Sequence, residues 1–103
     1  MKYRWKVSPE PTGRYRSFEK RSWPTAWYAN GEIAASISCD DDYRPVDARE
    51  GKHGPLTVAV ADHSEEKWKW RRMKQRFSTL TEAKDGFAKL LNVMPHLAPK
   101  EAQ

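Results

Sequence analysis

Basic and aromatic side chains alternate in two short stretches of the chain, and together these residue types can bind a polyanion. Near the start, "KYRWKV" places Tyr3 and Trp5 on one side of an extended strand and its cations on the other. Residues 67–77, "KWKWRRMKQRF", contain two tryptophans, a phenylalanine and six lysines and arginines. In proteins that bind single-stranded nucleic acid, cations hold phosphates while rings stack on bases. The predicted contacts are the basic residues of both stretches: Lys2, Arg4, Lys6, Lys67, Lys69, Arg71, Arg72, Lys74 and Arg76.

The tryptophans of these stretches admit two interpretations. Trp5, Trp68 and Trp70 can be platforms for bases, or they can form the core while the cations face water. A ring cannot do both, and the alternation favours the core, which predicts that Trp68 and Trp70 pack under a helix near Phe87 and Leu91. A basic outer face remains under either interpretation. We therefore predict a small, non-catalytic protein that contacts the phosphates of DNA or RNA rather than stacking on its bases.

A long polar connection, residues 39–55, gives an alternative function of another class. It contains Tyr43 and Arg44, two residue types that are enriched at the centre of protein interfaces. The alternative is a protein-interaction module, for instance a small regulator of the phage type that docks on a host protein through this segment. The carboxylates at 40–42 are consecutive and Pro45 follows them, unlike the alternating ligands of a calcium loop, so no metal is predicted.

Residues that could perform catalysis are few and scattered. The chain has one cysteine and three histidines, with no zinc-ligand spacing and no glycine-rich phosphate loop. Cys39 and His63 are the one combination that could act as nucleophile and base, although a cysteine at the end of an apolar strand is more often a small buried residue. We predict neither enzyme activity nor a cofactor.

Charge is distributed unevenly along the 103 residues, which carry a net charge of +5. Residues 1–28 hold seven basic and two acidic side chains, residues 29–66 three and nine, and residues 67–103 nine and three. If the two basic ends meet in one sheet, their charges can combine into one patch; the alternative is that the acidic middle neutralises the basic ends. The lone cysteine, and the lack of a signal peptide or a long apolar run, predict a cytoplasmic protein.

Periodicity predicts the strands that position these residues. Strands are expected at 3–7 and 14–18, in a hairpin around Asn30-Gly31 with a two-residue type I′ turn, and at 56–62. That turn pairs Tyr28 with Ile33. The stretch from Lys67 begins as a further strand, and a β-bulge near 71–72 is expected to return Met73 and Phe77 to the inner side.

A C-terminal helix is predicted after these strands. Thr79 and Glu82 have capping-box spacing, and Pro95 marks the end. The apolar stripe comprises Ala83, Phe87, Leu90, Leu91 and Met94. The sequence therefore predicts an α+β fold, in which an antiparallel sheet of four to six strands carries one amphipathic helix on one face. The domain is expected to span 1–95, with a flexible tail at 96–103.

The segment "WKWRRMKQRFSTLTEAKDGFAKLL", residues 68–91, resembles the last strand and helix of AP2-type DNA-binding domains. The resemblance rests on a strand, then "F-x-T-L-x-E-A", then a helix, and covers about a quarter of the chain. It implies a sheet that enters the major groove of DNA while a helix braces it. The same "TLTEA" pattern precedes helices in many unrelated proteins, and the segment assigns no family. Small size and dense Trp/Arg content also resemble those of short phage or prophage proteins, which implies no activity.

Overall fold

An antiparallel sheet and one C-terminal helix form the part of the chain that the computed structural model describes, residues 2–9, 21–39, 46–47 and 55–100. The strands are β1 (Tyr3–Pro9), β2 (Arg21–Tyr28), β3 (Ile33–Cys39), β4 (Val46–Asp47), β5 (Leu56–Asp62) and β6 (Lys69–Arg72). Their order is β1-β2-β3-β5-β6, and the short β4 pairs with β2. Helix α1 (Leu80–Val93) and a 3-10 helix (Pro95–Leu97) follow. The predicted α+β class is confirmed. The predicted strand at 14–18 lies outside the described residues.

Helix α1 covers one face of the sheet because its apolar stripe meets rings from β1. Thr79 caps the helix, its side-chain oxygen accepting a hydrogen bond from Glu82 N at 3.1 Å, as the capping box predicted. Phe87 is fully buried, and its ring centroid lies 5.2 Å from that of Tyr3 and 5.9 Å from that of Trp5. Rings of β1 therefore occupy the place that the sequence analysis assigned to Trp68 and Trp70.

The rest of the core comes from the middle strands of the sheet. β5 pairs with both β3 and β6, and all but one of its side chains are buried, as expected for a central strand of small and β-branched residues. Ile37, Val58 and Val60 lie on the helix side of these strands and are at most 1% exposed. Packing of these residues stabilises the sheet whose edge strands, β1 and β6, carry the two predicted basic stretches.

The β2–β3 hairpin forms at Asn30-Gly31, but its loop has three residues rather than two. Gly31 N donates to Tyr28 O at 2.9 Å, and Tyr28 N donates to Glu32 O at 2.8 Å. Gly31 adopts a positive φ of 90°, as in a turn closed by a bulged glycine. The predicted pairing of Tyr28 with Ile33 is therefore wrong by one residue, and Trp27 pairs with Ile33 instead.

The predicted bulge near residues 71–72 is also wrong. β6 pairs with β5 in one uninterrupted register, from Asp62–Lys69 to Ala59–Arg72, and Met73 N then donates to Val58 O at 2.9 Å. Met73 packs against the core with the parity of Lys69 and Arg71. No bulge is needed, because odd-numbered residues of this strand already point to the helix side.

The chain stays packed beyond Pro95, where the sequence analysis placed the start of a tail. Leu97 and Ala98 are 4% and 1% exposed and belong to the core, and Leu97 O accepts a hydrogen bond from His63 N at 2.8 Å. Burial of these apolar side chains holds residues 95–98 on the sheet. No helix among the described residues is long and apolar enough to cross a membrane.

Candidate nucleic-acid interface

The face of the sheet opposite α1, here called the helix-free face, carries cations at both edges. Residues paired across antiparallel strands share a face. On the helix side, Trp5 pairs with Ala26, which pairs with Ala35. The side chains of the next row of paired residues must therefore point to the helix-free face. That row runs across all five strands through Lys6, Thr25, Ser36, Ala59 and Arg72.

Three of the predicted contacts lie together at the β1 edge of the helix-free face. Lys2, Arg4 and Lys6 alternate along the chain, and all three are exposed. With Trp27, which pairs with Arg4, they line a pocket of ≈ 850 Å³, here called the β1 pocket. Within the described residues, no ion pair joins these three cations to a carboxylate. The pocket therefore presents three positive charges beside one half-buried indole.

Tyr28 also lines the β1 pocket and adds no charge to it. The side chain is 2% exposed. Burial raises the pKa of Tyr28 to about 12, with a smaller contribution from Tyr3. The phenol is therefore neutral near pH 7 and adds no negative charge to the described lining of the pocket.

Arg71, another predicted phosphate contact, is engaged within the fold. Its Nε donates to a carboxylate oxygen of Asp62, a residue that is 4% exposed. Burial by itself would raise the pKa of Asp62, but hydrogen bonds from Ser64 and Arg71, with the charge of Arg71, outweigh burial and lower the pKa to about 2. Because Arg71 stabilises this buried charge, we assign it to the structure rather than to the ligand.

The other cations near β6 include residues that make contacts within the protein and residues that are exposed. Arg76 Nη1 donates to Met73 O at 3.0 Å and to Lys74 O at 2.9 Å, which closes the turn after the strand. Lys69 Nζ lies 3.6 Å from a Glu65 oxygen in an exposed ion pair of low energy. Lys67 and Lys74 are exposed, and Arg72 is exposed on the helix-free face.

The two basic stretches share one sheet but do not converge. β1 and β6 are its opposite edges, separated by four strand spacings, or about 19 Å. The expectation of one combined patch is therefore wrong. Cations instead flank the helix-free face, with Lys2, Arg4 and Lys6 at the β1 edge and Arg72 at the β6 edge.

Trp68 and Trp70 are not core residues, contrary to the interpretation favoured by the sequence. They are 43% and 45% exposed. Trp70 pairs with Ala61 on the helix-free face, and Trp68 follows the same alternation. Their ring centroids lie 5.1 Å apart in a T-shaped pair, and the His63 ring lies 5.8 Å from Trp68. Of the three tryptophans considered, Trp5 alone packs against the helix.

The remaining candidate sites are separated or lie outside the described residues. Cys39 pairs with Leu56, whereas His63 follows seven residues later along β5, so about 23 Å of strand separates them. This distance excludes the Cys39–His63 pair as a nucleophile and base. Tyr43 and Arg44 of the alternative docking segment lie outside the described residues. Within the described ranges, no three His, Cys, Asp or Glu side chains form a group that could hold a metal ion.

Trp27 is the one candidate ligand contact that the sequence analysis missed. Its signal was its position two residues before the hairpin loop, but the face it occupies depends on the hairpin register.

Comparison of the chain with protein-family models, with curated proteins and with solved structures gives no significant match. Function is therefore inferred from the geometry of the helix-free face.

Proposed function

We propose that this protein binds nucleic acid through its phosphates, with the β1 pocket as the principal contact. The observation that carries the proposal is the placement of Lys2, Arg4 and Lys6 on one exposed face around Trp27. Lysine and arginine neutralise phosphates and release condensed counterions, which supplies most sequence-independent binding energy. A half-buried indole beside these cations gives the pocket an apolar wall against which a sugar or base can pack.

The proposal centres on the three cations of the β1 pocket. Arg71 and Arg76 make hydrogen bonds within the protein, so neither is placed among the principal contacts. The contribution of Lys67, Lys69 and Lys74 is expected to be smaller than that of the β1 pocket, because Lys69 is already paired with Glu65 and all three are exposed to solvent. A cytoplasmic location, predicted from the sequence, belongs to the same proposal.

The test is titration of labelled oligonucleotides at several salt concentrations. Wild-type protein should bind at low salt and weaken as salt rises. The variant Lys2→Gln/Arg4→Gln/Lys6→Gln should bind less tightly, and the slope of log affinity against log salt should fall by up to about 3, one for each phosphate contact. Absence of binding by the wild type at low salt would remove the proposal.

A matched control separates local contacts from net charge. The variant Lys84→Gln/Lys89→Gln/Lys100→Gln also removes three positive charges, but from α1 and from just beyond the 3-10 helix. If the β1 pocket is the contact, this control should retain most of the affinity and of the salt slope. Equal losses in both triple variants would show that total charge, and not the pocket, determines binding.

The alternative, a protein-interaction module acting through Tyr43 and Arg44, stays a prediction from the sequence. A pull-down from lysate with and without nuclease distinguishes the two functions. Partners that are lost after nuclease treatment support nucleic-acid binding. Direct partners that remain, and that are lost in Tyr43→Ala/Arg44→Ala, support the alternative.

A further inference from the structure

We propose that Trp68 and Trp70 form a platform on which unpaired bases stack, so that the preferred ligand is single-stranded nucleic acid. This inference rests on the proposed function, because phosphate contacts must hold the strand while the rings receive its bases. It adds the class of nucleic acid and a second part of the interface. Base–aromatic stacking tolerates any sequence, since every base has a π-face.

Exposure of the two indoles is the first observation. Nearly half of each side chain faces solvent, although a domain of this size has few large apolar residues to spare. Exposed apolar groups that are contiguous mark interaction sites more often than scattered ones do. Trp68 and Trp70 are contiguous, because their ring centroids are 5.1 Å apart.

The pair is also held in place, which lowers the cost of ordering it on binding. The His63 ring lies 5.8 Å from that of Trp68. His63 is itself fixed, because its Nε2 lies 2.7 Å from Ile33 O and its Nδ1 lies 3.6 Å from a Glu32 oxygen. The His63 ring contacts Trp68 rather than Trp70, so Trp70 is the ring chosen for substitution.

Charge on the helix-free face matches a polyanion. Arg72 is exposed on this face, two residues along β6 from Trp70, whereas Lys69 has the opposite parity and points to the helix side. The helix-free face also carries the β1 pocket, about 19 Å away across the sheet. A strand that contacts both sites spans on the order of five nucleotides at a stacked rise of about 3.4 Å, near the lower end of known site sizes.

The experiment compares single-stranded oligonucleotides of 3, 6 and 12 nucleotides with a 12-base-pair duplex, at one low salt concentration. Wild type should prefer the single strand and gain affinity between 3 and 6 nucleotides. Trp70→Ala should weaken single-strand binding roughly 5- to 150-fold, and Trp70→Phe should recover part of the loss. Duplex binding should change little in either variant, because paired bases cannot reach the rings.

Controls keep each result informative. Circular dichroism and urea unfolding establish that Trp70→Ala is folded, and Trp68→Phe provides a second variant that keeps an aromatic ring. Equal affinity of Trp70→Ala and wild type for single strands would overturn the platform and leave phosphate binding by the β1 pocket intact. No binding of any oligonucleotide by wild type would overturn both. A dimer that dissociates in Trp70→Ala, seen by sedimentation, would show that the rings contact a second copy of the chain instead.

Discussion

Replacing Arg71 with methionine should weaken the fold and leave oligonucleotide binding nearly unchanged, although Arg71 is one of the predicted phosphate contacts. Its guanidinium bonds to Asp62, whose carboxylate is buried and also accepts a hydrogen bond from Ser64 N at 2.9 Å. Methionine keeps the length of the side chain and removes the charge. The carboxylate is then left with the Ser64 hydrogen bonds alone.

The magnitude follows from the environment of the pair. A hydrogen bond to a charged group contributes about 1.5–3 kcal/mol. The Arg71 side chain is 59% exposed, so solvent screens part of this interaction, and the lower end of the range applies. We expect a loss of about 1.5 kcal/mol in the free energy of unfolding at pH 7, which lowers the melting temperature by roughly 6–12 °C in a domain of this size.

The pH dependence gives a second signature. The folded-state pKa of Asp62 is about 2, below the ordinary value of 3.8, so its ion pair stabilises the fold fully above about pH 4. That stabilisation is lost as the pH falls toward 2 and the carboxylate is protonated. In Arg71→Met the folded-state pKa rises toward its ordinary value. The variant should therefore lose less stability than wild type between pH 4 and pH 2.

Urea unfolding at pH 7, 4 and 2 measures both effects, and Lys74→Met is the control that removes an exposed charge from the same segment. Asp62→Asn, alone and combined with Arg71→Met, completes a double-mutant cycle that isolates the pair. If Arg71→Met keeps wild-type stability but lowers oligonucleotide affinity more than Lys74→Met does, the assignment of Arg71 to the structure is wrong.

Three further substitutions test the packing that positions the interface, each by chemical or thermal unfolding. A Cβ at Gly86 would lie 2.5 Å from Cε1 of Phe77, so Gly86→Ala should cost about 1–2 kcal/mol despite its better helix propensity, and a gain in stability would contradict this contact. Trp5→Ala should cost about 2–4 kcal/mol because its ring packs on Phe87, whereas a loss below about 1 kcal/mol would place this ring outside the core. Gly31→Ala should cost about 1–2 kcal/mol from its positive φ alone, since an added Cβ meets nothing within 4 Å, and unchanged stability would argue against that turn.

Period-2 alternation correctly predicted which residues share a side of the strand after residue 67, but it did not determine which side is buried. Large rings were assigned to the core and lysines to water, and a bulge then had to be added for Met73 and Phe77. The simpler solution is the observed one, in which the odd residues face the helix side throughout. The strand lies at an edge where all four of its side chains are exposed, and a sequence cannot reveal that position before the strand order is known.

Sequence signals that require a specific backbone geometry, such as a helix cap or a tight turn, gave more reliable predictions than the assignment of residues to the core did. Thr79 and Glu82 form the predicted cap, and Asn30-Gly31 forms the predicted hairpin, although the loop is longer by one residue. The start of β2 was missed because Pro24 argues against a strand. Pro24 pairs with Val7 of β1 one residue before the pairing with β3 begins, so it lies at a position that is paired on one side only, where a strand tolerates proline more readily.

The two basic aromatic stretches look alike in sequence, yet the sheet gives them opposite orientations, and this difference builds the proposed interface. In β1 the rings of Tyr3 and Trp5 point to α1, so its cations occupy the helix-free face. In β6 the parity is reversed, because Met73 must reach the core, and Arg71 is drawn to Asp62 on the helix side. The indole of Trp70 is thereby left on the helix-free face. One edge of that face contributes positive charge and the other contributes rings, which are the two components that binding of a single strand requires.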